Sequence, residues 1–349
     1  MATAAPRKSM LSTWLLLGAM LVSGGAWGQT WTGATSGAWL TAGNWSPSGA
    51  PSGTSAEAII NNNAQPTIGI NMNGIAVSNS SIGAIHFGPS ATTARTINNS
   101  SGGTAGNMTL NGITVNSVAN TILRNNSATT HIITNGTQAL GIVLGNATNN
   151  LINIDAAGGI TIASVISGGS NALTKSGAGA GVLELTAQNT YTGATTVSGG
   201  TLRLNRTGGT TLPTGNSVTV NNGGTLRISS NQTLNNLTVV TGGSLIIDAS
   251  VTLTITGTLA TGAGVTNSGT LQINGTLQIN SGGFISTNAP TYGSGSTLVY
   301  NSSGSYGALP YLLSGTPNHT ADELSESESL VCMGRYSFFS INNTSITQK

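Results

Sequence analysis

The sequence predicts an all-β protein, a parallel β-helix (β-solenoid) in which short strands stack coil upon coil, and three observations lead there. Only 5% of the 349 residues are charged while 38% are hydrophobic, against about 25% charged in an ordinary soluble domain. The chain holds 50 Gly with no every-third-residue period, which excludes a collagen-like helix. A short unit also recurs, a Gly turn followed by alternating aliphatic residues. Disorder is excluded because a chain this apolar, with a formal net charge of only +2, has the surface to form a core.

The unit is clearest in Gly199-Gly200-Thr201-Leu202-Arg203-Leu204, Gly223-Gly224-Thr225-Leu226-Arg227-Ile228 and Gly242-Gly243-Ser244-Leu245-Ile246-Ile247, and Gly181-Val182-Leu183-Glu184-Leu185 anticipates it. Period-two alternation places two aliphatic side chains on one face and the residue between them on the other, the pattern of a half-buried strand. Leu183, Leu202, Leu226 and Leu245 are separated by 19, 24 and 19 residues, a spacing that signals a solenoid. Ser268-Gly269-Thr270-Leu271-Gln272-Ile273 and Asn274-Gly275-Thr276-Leu277-Gln278-Ile279 read as looser copies of the same unit. Asn205, Asn221-Asn222 and Asn235-Asn236 fall at corners, where Gly and Asn tolerate sharp turns and stacked Asn side chains can form ladders.

The N-terminus reads as an export signal. Arg7 and Lys8 precede an apolar run from Met10 to Val22, and Ala26-Trp27-Gly28 places small residues before an expected cleavage between Gly28 and Gln29. Ser12, Thr13 and Ser23 bound the run, leaving it short of the roughly 18 apolar residues of a membrane span, so the mature chain is expected to hold no transmembrane segment. Residues 29–58 are read as an N-terminal aromatic cap around Trp31, Trp39 and Trp45, preferred over a carbohydrate-stacking platform because the end of a solenoid needs its edge covered. The β-helix is expected over 59–307.

Residues 172–204 carry a resemblance. Leu173-Thr174-Lys175-Ser176-Gly177-Ala178-Gly179, Val182-Leu183-Glu184-Leu185, Asn189-Thr190-Tyr191-Thr192-Gly193 and Thr195-Thr196-Val197-Ser198-Gly199-Gly200-Thr201-Leu202 resemble the autotransporter-associated β-strand repeat. Ala180-Gly181-Val182 departs from the family pattern by one residue, read as a bulge. The resemblance implies a right-handed β-helix and export to the cell surface of a Gram-negative bacterium, and it implies no catalytic activity.

Past Gly307 the composition changes. Residues 308–349 hold Asp322, Glu323, Glu326, Glu328 and the single Cys, Cys332. Thr320-Ala321-Asp322-Glu323 reads as a helix capping box. This atypical tail is either a C-terminal cap or a foreign ending from truncation or a shifted frame, and the abrupt end of solenoid-like sequence favours the second. An autotransporter would also need a C-terminal barrel of many strands.

Reactive chemistry is sparse. Between Gln29 and Gly307 stand four carboxylates, Glu57, Asp155, Glu184 and Asp248; Asp155 and Glu184 fall at different coil positions and are expected to be solvated rather than to converge as a glycosidase pair would. His86 and His131 lack companions at metal-ligand spacing, and Cys332 has only Arg335 near it to lower its pKa. No catalytic, cofactor or metal residue is therefore assigned. Nucleic acid is not an expected partner, because no dense basic stripe exists. The expected function is a structural or adhesive passenger module of the outer membrane surface, with an unidentified surface or carbohydrate ligand or self-association as its partner. The alternatives are a β-helical carbohydrate-active enzyme and a functionless fragment of a larger exported protein.

Overall fold

Parallel pairing builds nearly the whole structure, a computed structural model that describes residues 28–69, 79–100, 104–301, 339–342 and 345–348. Among these the strands form sheets of seventeen, ten, four and two strands. The ten-stranded sheet is a single parallel ladder from Thr67–Gly69 to Phe284–Thr287, one strand per coil. Leu183 pairs with Leu202, Leu202 with Leu226 and Leu226 with Leu245, so the 19- and 24-residue spacings are each one coil. Leu202 and Leu204, Leu226 and Ile228, and Leu245 and Ile247 are all buried, and their columns fill the interior.

The seventeen-stranded sheet forms a second wall, with Leu173–Ser176, Thr195–Val197, Ser217–Val220 and Asn236–Val239 in consecutive parallel pairs. The four-stranded sheet, Gln232–Leu234, Thr252–Ile255, Thr270–Ile273 and Thr291–Tyr292, makes a third wall only from Gln232 onward. Just before it, no ladder closes the third side. There the amides of Asn189 and Gln232 take the place of strand hydrogen bonds: Asn189 accepts from Ile166 N–H and donates to Thr211 O, while Gln232 accepts from Thr211 N–H and Leu212 N–H and donates to Leu212 O. Buried backbone groups must find partners, and these amides supply them while Tyr191 and Leu212 fill the core beside them.

Two details differ from the sequence reading. Thr270–Ile273 and Thr276–Asn280 are not further copies of the Gly-Gly-Thr-Leu strand: the first belongs to the four-stranded wall and the second to the seventeen-stranded wall, both within one coil. Their counterparts on the ten-stranded sheet are Gly264–Asn267 and Phe284–Thr287. All walls bury alternate residues, so a Thr-Leu-Gln-Ile strand reads alike on any of them. The extra residue near Ala180 makes no bulge in the ladder, since Val182 to Leu185 pair in unbroken register with Thr201 to Leu204; it is taken up in the turn before the strand. The corner asparagines mostly cap backbone or other side chains rather than one another, as when Asn236 Oδ1 accepts from Thr258 N–H at 2.9 Å.

Two glycines are required by geometry. Gly177 has φ +98°, and a Cβ there would lie 2.1 Å from Ile154 O on the coil before. Gly200, at φ +63°, lies over the Lys175 ammonium, which a Cβ would approach to 2.8 Å. Both conditions disfavour any side chain.

At the N-terminal end, Gly28–Trp31 pairs parallel with the strand Gly53–Ile60, and Trp45–Ser46 pairs antiparallel on its other side. Trp31, Trp39 and Trp45 are buried, with Trp45 edge-on to both others at 5.0 and 4.8 Å between ring centroids, and they continue the aliphatic core. The expected helix at Thr320–Glu323, Cys332 and the signal segment before Gly28 lie outside the described residues.

Candidate functional site

The outward side of the ten-stranded sheet carries the concentration of exposed charge. Its residues alternate with the buried leucines, so one column runs Thr161, Glu184, Arg203, Arg227, Ile246 along five neighbouring strands. Beside it run Val182, Thr201, Thr225 and Ser244. All of these but Ser244 line a groove of about 330 Å³, with Thr130, Ala157 and Gly159 at one end.

Within the groove the polar groups form one network. Glu184 accepts from Arg203 Nη1 at 3.3 Å, Asn205 Nδ2 at 2.9 Å and Thr161 Oγ1 at 3.3 Å. Arg203 Nε donates to Ser229 Oγ, which donates to Asp248, which in turn accepts from Arg227 Nε at 3.0 Å. Burial works to raise the Asp248 pKa, but hydrogen bonds from Ser229 and Arg227 and the nearby guanidinium charges outweigh it and hold the carboxyl below its ordinary range.

All four carboxylates of the solenoid turn out to be ion-paired rather than simply solvated. Glu57 meets His86 Nδ1 at 3.0 Å, Asp155 meets Arg124 Nη2 at 2.6 Å, and Glu184 and Asp248 are paired as above. Asp155, in the turn after Asn150–Ile154, and Glu184, within Val182–Leu185, share no partner. Among the described residues no group of three His, Cys, Asp or Glu stands close enough to hold a metal ion.

His86 and His131 are both enclosed. His86 places its second nitrogen 3.0 Å from Asn126 Oδ1. His131 stacks on Phe87 and stands 2.7 Å from Ser127 Oγ, the distance of a nucleophile and its base. The tautomer is wrong for that role. Nδ1 accepts from the Arg95 N–H, so the ring proton sits on Nε2 and is donated to Ser127, leaving no lone pair to take the serine proton. Burial, with the Arg95 charge adding, holds the His131 pKa down to about 4, and the pair is fully enclosed.

Three buried cations escaped the sequence reading: Arg124, paired with Asp155, and the fully buried Arg95 and Lys175. Arg95 donates to Asn62 O and Ala64 O, and burial lowers its pKa. Lys175 lies between Ile152 and Val197 in an inward column and donates to Ser176 O at 2.7 Å and Gly199 O at 3.0 Å. Burial brings its pKa down to about 8, partly opposed by the Asp155 charge. A signal existed for the last two: each has the period-two parity of a buried aliphatic neighbour, Ile97 for Arg95 and Leu173 for Lys175.

The polar residues that made 172–204 distinctive have a common task. Lys175 ties its strand to the Gly199 turn of the next coil, and Asn189 bridges the coils before and after it. Tyr191 Oη bonds Thr195 Oγ1 at 2.8 Å, Thr195 donates to Asn216 Oδ1, and Asn216 Nδ2 returns to Gly193 O. The segment contributes Leu173–Ser176 and Thr195–Val197 to one wall and Val182–Leu185 and Gly200–Leu204 to the other, so it forms parts of two successive coils. No curated protein and no solved structure matches the chain. The segment in which Lys175, Asn189 and Tyr191 clamp successive coils does match a family model: residues 173–204 are similar to the passenger-associated-transport-repeat.

Proposed function

We propose that this chain is a passenger module exported to the surface of a Gram-negative bacterium, structural or adhesive in action, working through its long outer walls rather than through a reactive centre. The match at 173–204 carries the reading, because the repeat it resembles is described as associated with passenger transport and its polar residues here are spent on coil-to-coil clamps. The use of each solenoid carboxylate in an ion pair supports it, as does the tautomer of His131. The buried tryptophans serve as the cap of the first coil in this reading.

A β-helical carbohydrate-active enzyme is the competing reading, favoured by the open groove on the ten-stranded sheet. Acid catalysis there would need a second carboxylate opposite Glu184, whereas Glu184 faces Arg203, Asn205 and Thr161. Two measurements test the proposal. Antibody labelling of intact bacteria expressing the full chain should detect it outside the cell, and incubation with a polysaccharide panel should release neither reducing ends nor unsaturated products. Turnover lost in Glu184→Gln would replace the passenger reading with the enzymatic one.

A further inference from the structure

We propose that the groove on the outer side of the ten-stranded sheet binds a linear polysaccharide of uronic acid residues lying along the solenoid axis, with carboxylates held by Arg203 and Arg227. The inference deepens the adhesive reading and rests on it.

The two arginines pair directly across neighbouring strands, and like charges in that position repel. Their carboxylate partners stand on the flanks: Glu184 on the far side of Arg203, and Asp248 reached only through Arg227 Nε. Among the described residues, Arg203 Nη2 and both Nη atoms of Arg227 have no hydrogen-bond acceptor in the protein, while Arg203 Nη1 and Nε are engaged. Both side chains are more than one-third exposed, 37% and 47%. Arg227, held at Nε alone, keeps its Nη1–Nη2 edge free, while Arg203, held at Nη1 and Nε, keeps Nη2; these donors can take a carboxylate by charge-assisted hydrogen bonds, which relieves the repulsion.

The shape favours a chain along the axis. Five strands, from Ile160–Ile162 to Ser244–Ile247, span roughly 19 Å at about 4.8 Å per step. Thr201 and Thr225 repeat a hydroxyl at that step, comparable to the length of one pyranose residue in an extended glycan. The volume of about 330 Å³ is at the small end of ligand sites, as expected for an open groove. An acidic peptide is the less favoured occupant, since peptides added to sheets use a free strand edge, and this groove lies on a face whose backbone is fully paired by its neighbours.

Calorimetric titration of the full chain with polygalacturonate tests the proposal, with the fully methyl-esterified polymer, poly-L-glutamate and inorganic sulfate as separate arms. Binding is expected for polygalacturonate alone. The Arg203→Gln/Arg227→Gln double variant should weaken it about tenfold or more, and Glu184→Gln, which removes the carboxylate charge beside Arg203, should strengthen it. If the double variant fails to fold by circular dichroism, Arg227→Gln alone carries the test with a several-fold loss, because the Glu184–Arg203 pair survives. The proposal is overturned by no binding, by equal binding of the methyl ester, by unchanged binding in the folded variants, or by equal binding of poly-L-glutamate, which would assign the arginines to an acidic peptide. Any of these leaves the passenger reading standing if the chain is still displayed on intact cells, whereas cleavage of the polymer would remove that reading itself.

Discussion

Glu184 and Arg203 stand directly opposite each other on neighbouring strands, with Oε1 3.3 Å from Nη1, so the 19 residues between them close one coil of the solenoid. The contact is an ion pair at the surface, and its value lies in register. A double-mutant cycle with Glu184→Ala and Arg203→Ala should give a coupling of about 0.2 to 1 kcal/mol that shrinks as salt is added. A coupling that is independent of salt would mean the pair is shielded from solvent.

The buried column one residue away should behave differently. Leu226 is fully buried between Leu202 and Leu245, so Leu226→Ala should cost about 2 to 5 kcal/mol. Arg227→Ala, half-exposed and with Ser229 still bonded to Asp248, should cost about 0.5 kcal/mol. Urea unfolding measures both; equal costs would show that the inward and outward columns are exchanged.

Lys175 predicts a pH dependence. Its pKa falls from 10.5 in the free side chain to about 8 in the fold, so between those values the unfolded chain binds more protons and stability must rise with pH. The gain is complete above the unfolded value and is lost as pH falls through about 8. Urea midpoints of the wild type should rise from pH 7.5 to 9.5, and Lys175→Met should flatten that rise relative to wild type. A parallel rise in both proteins would assign the effect to another group.

Asn189 substitutes for a missing strand ladder, so its removal leaves Ile166 N–H and Thr211 O without their side-chain partner. Asn189→Ala should cost about 1 to 3 kcal/mol, more than Asn222→Ala at an exposed corner. Hydrogen exchange should locate the loss at Ile166 and its neighbours; unchanged protection there would mean that water replaces the amide.

Trp39 tests the capping role. Trp39→Ala removes a fully buried ring at the first coils, and repeat proteins carry stability through neighbour contacts. Faster exchange should be confined to the coils built from Gly28 to about Phe87, with 200–280 unaffected. Loss of protection along the whole solenoid would show one cooperative unit instead.

The sequence by itself determined the architecture and most of one wall. Each Gly-Gly-Thr-Leu strand states its own buried face by parity, and the 19- and 24-residue intervals state which leucines stack, because a parallel coil returns each residue above its equivalent. The pairing of Glu184 with Arg203 followed from the same counting. Lys175 and Arg95 share that parity with buried neighbours, yet their charge invites the outward reading, and only the structure placed them inside.

Only the tertiary structure decided which wall a strand joins, since Thr270–Ile273 and Thr276–Asn280 carry the same alternation and differ only in their hydrogen-bonded neighbours. It also decided the partners that lie far apart in sequence, such as His86 with Glu57 and Asn126, and Asn189 with Thr211. Alternation is a local property of the backbone and can be read along the chain. A hydrogen bond between coils depends on the length and path of every turn between them, and those lengths vary from coil to coil, so the bond exists only once the whole stack has closed.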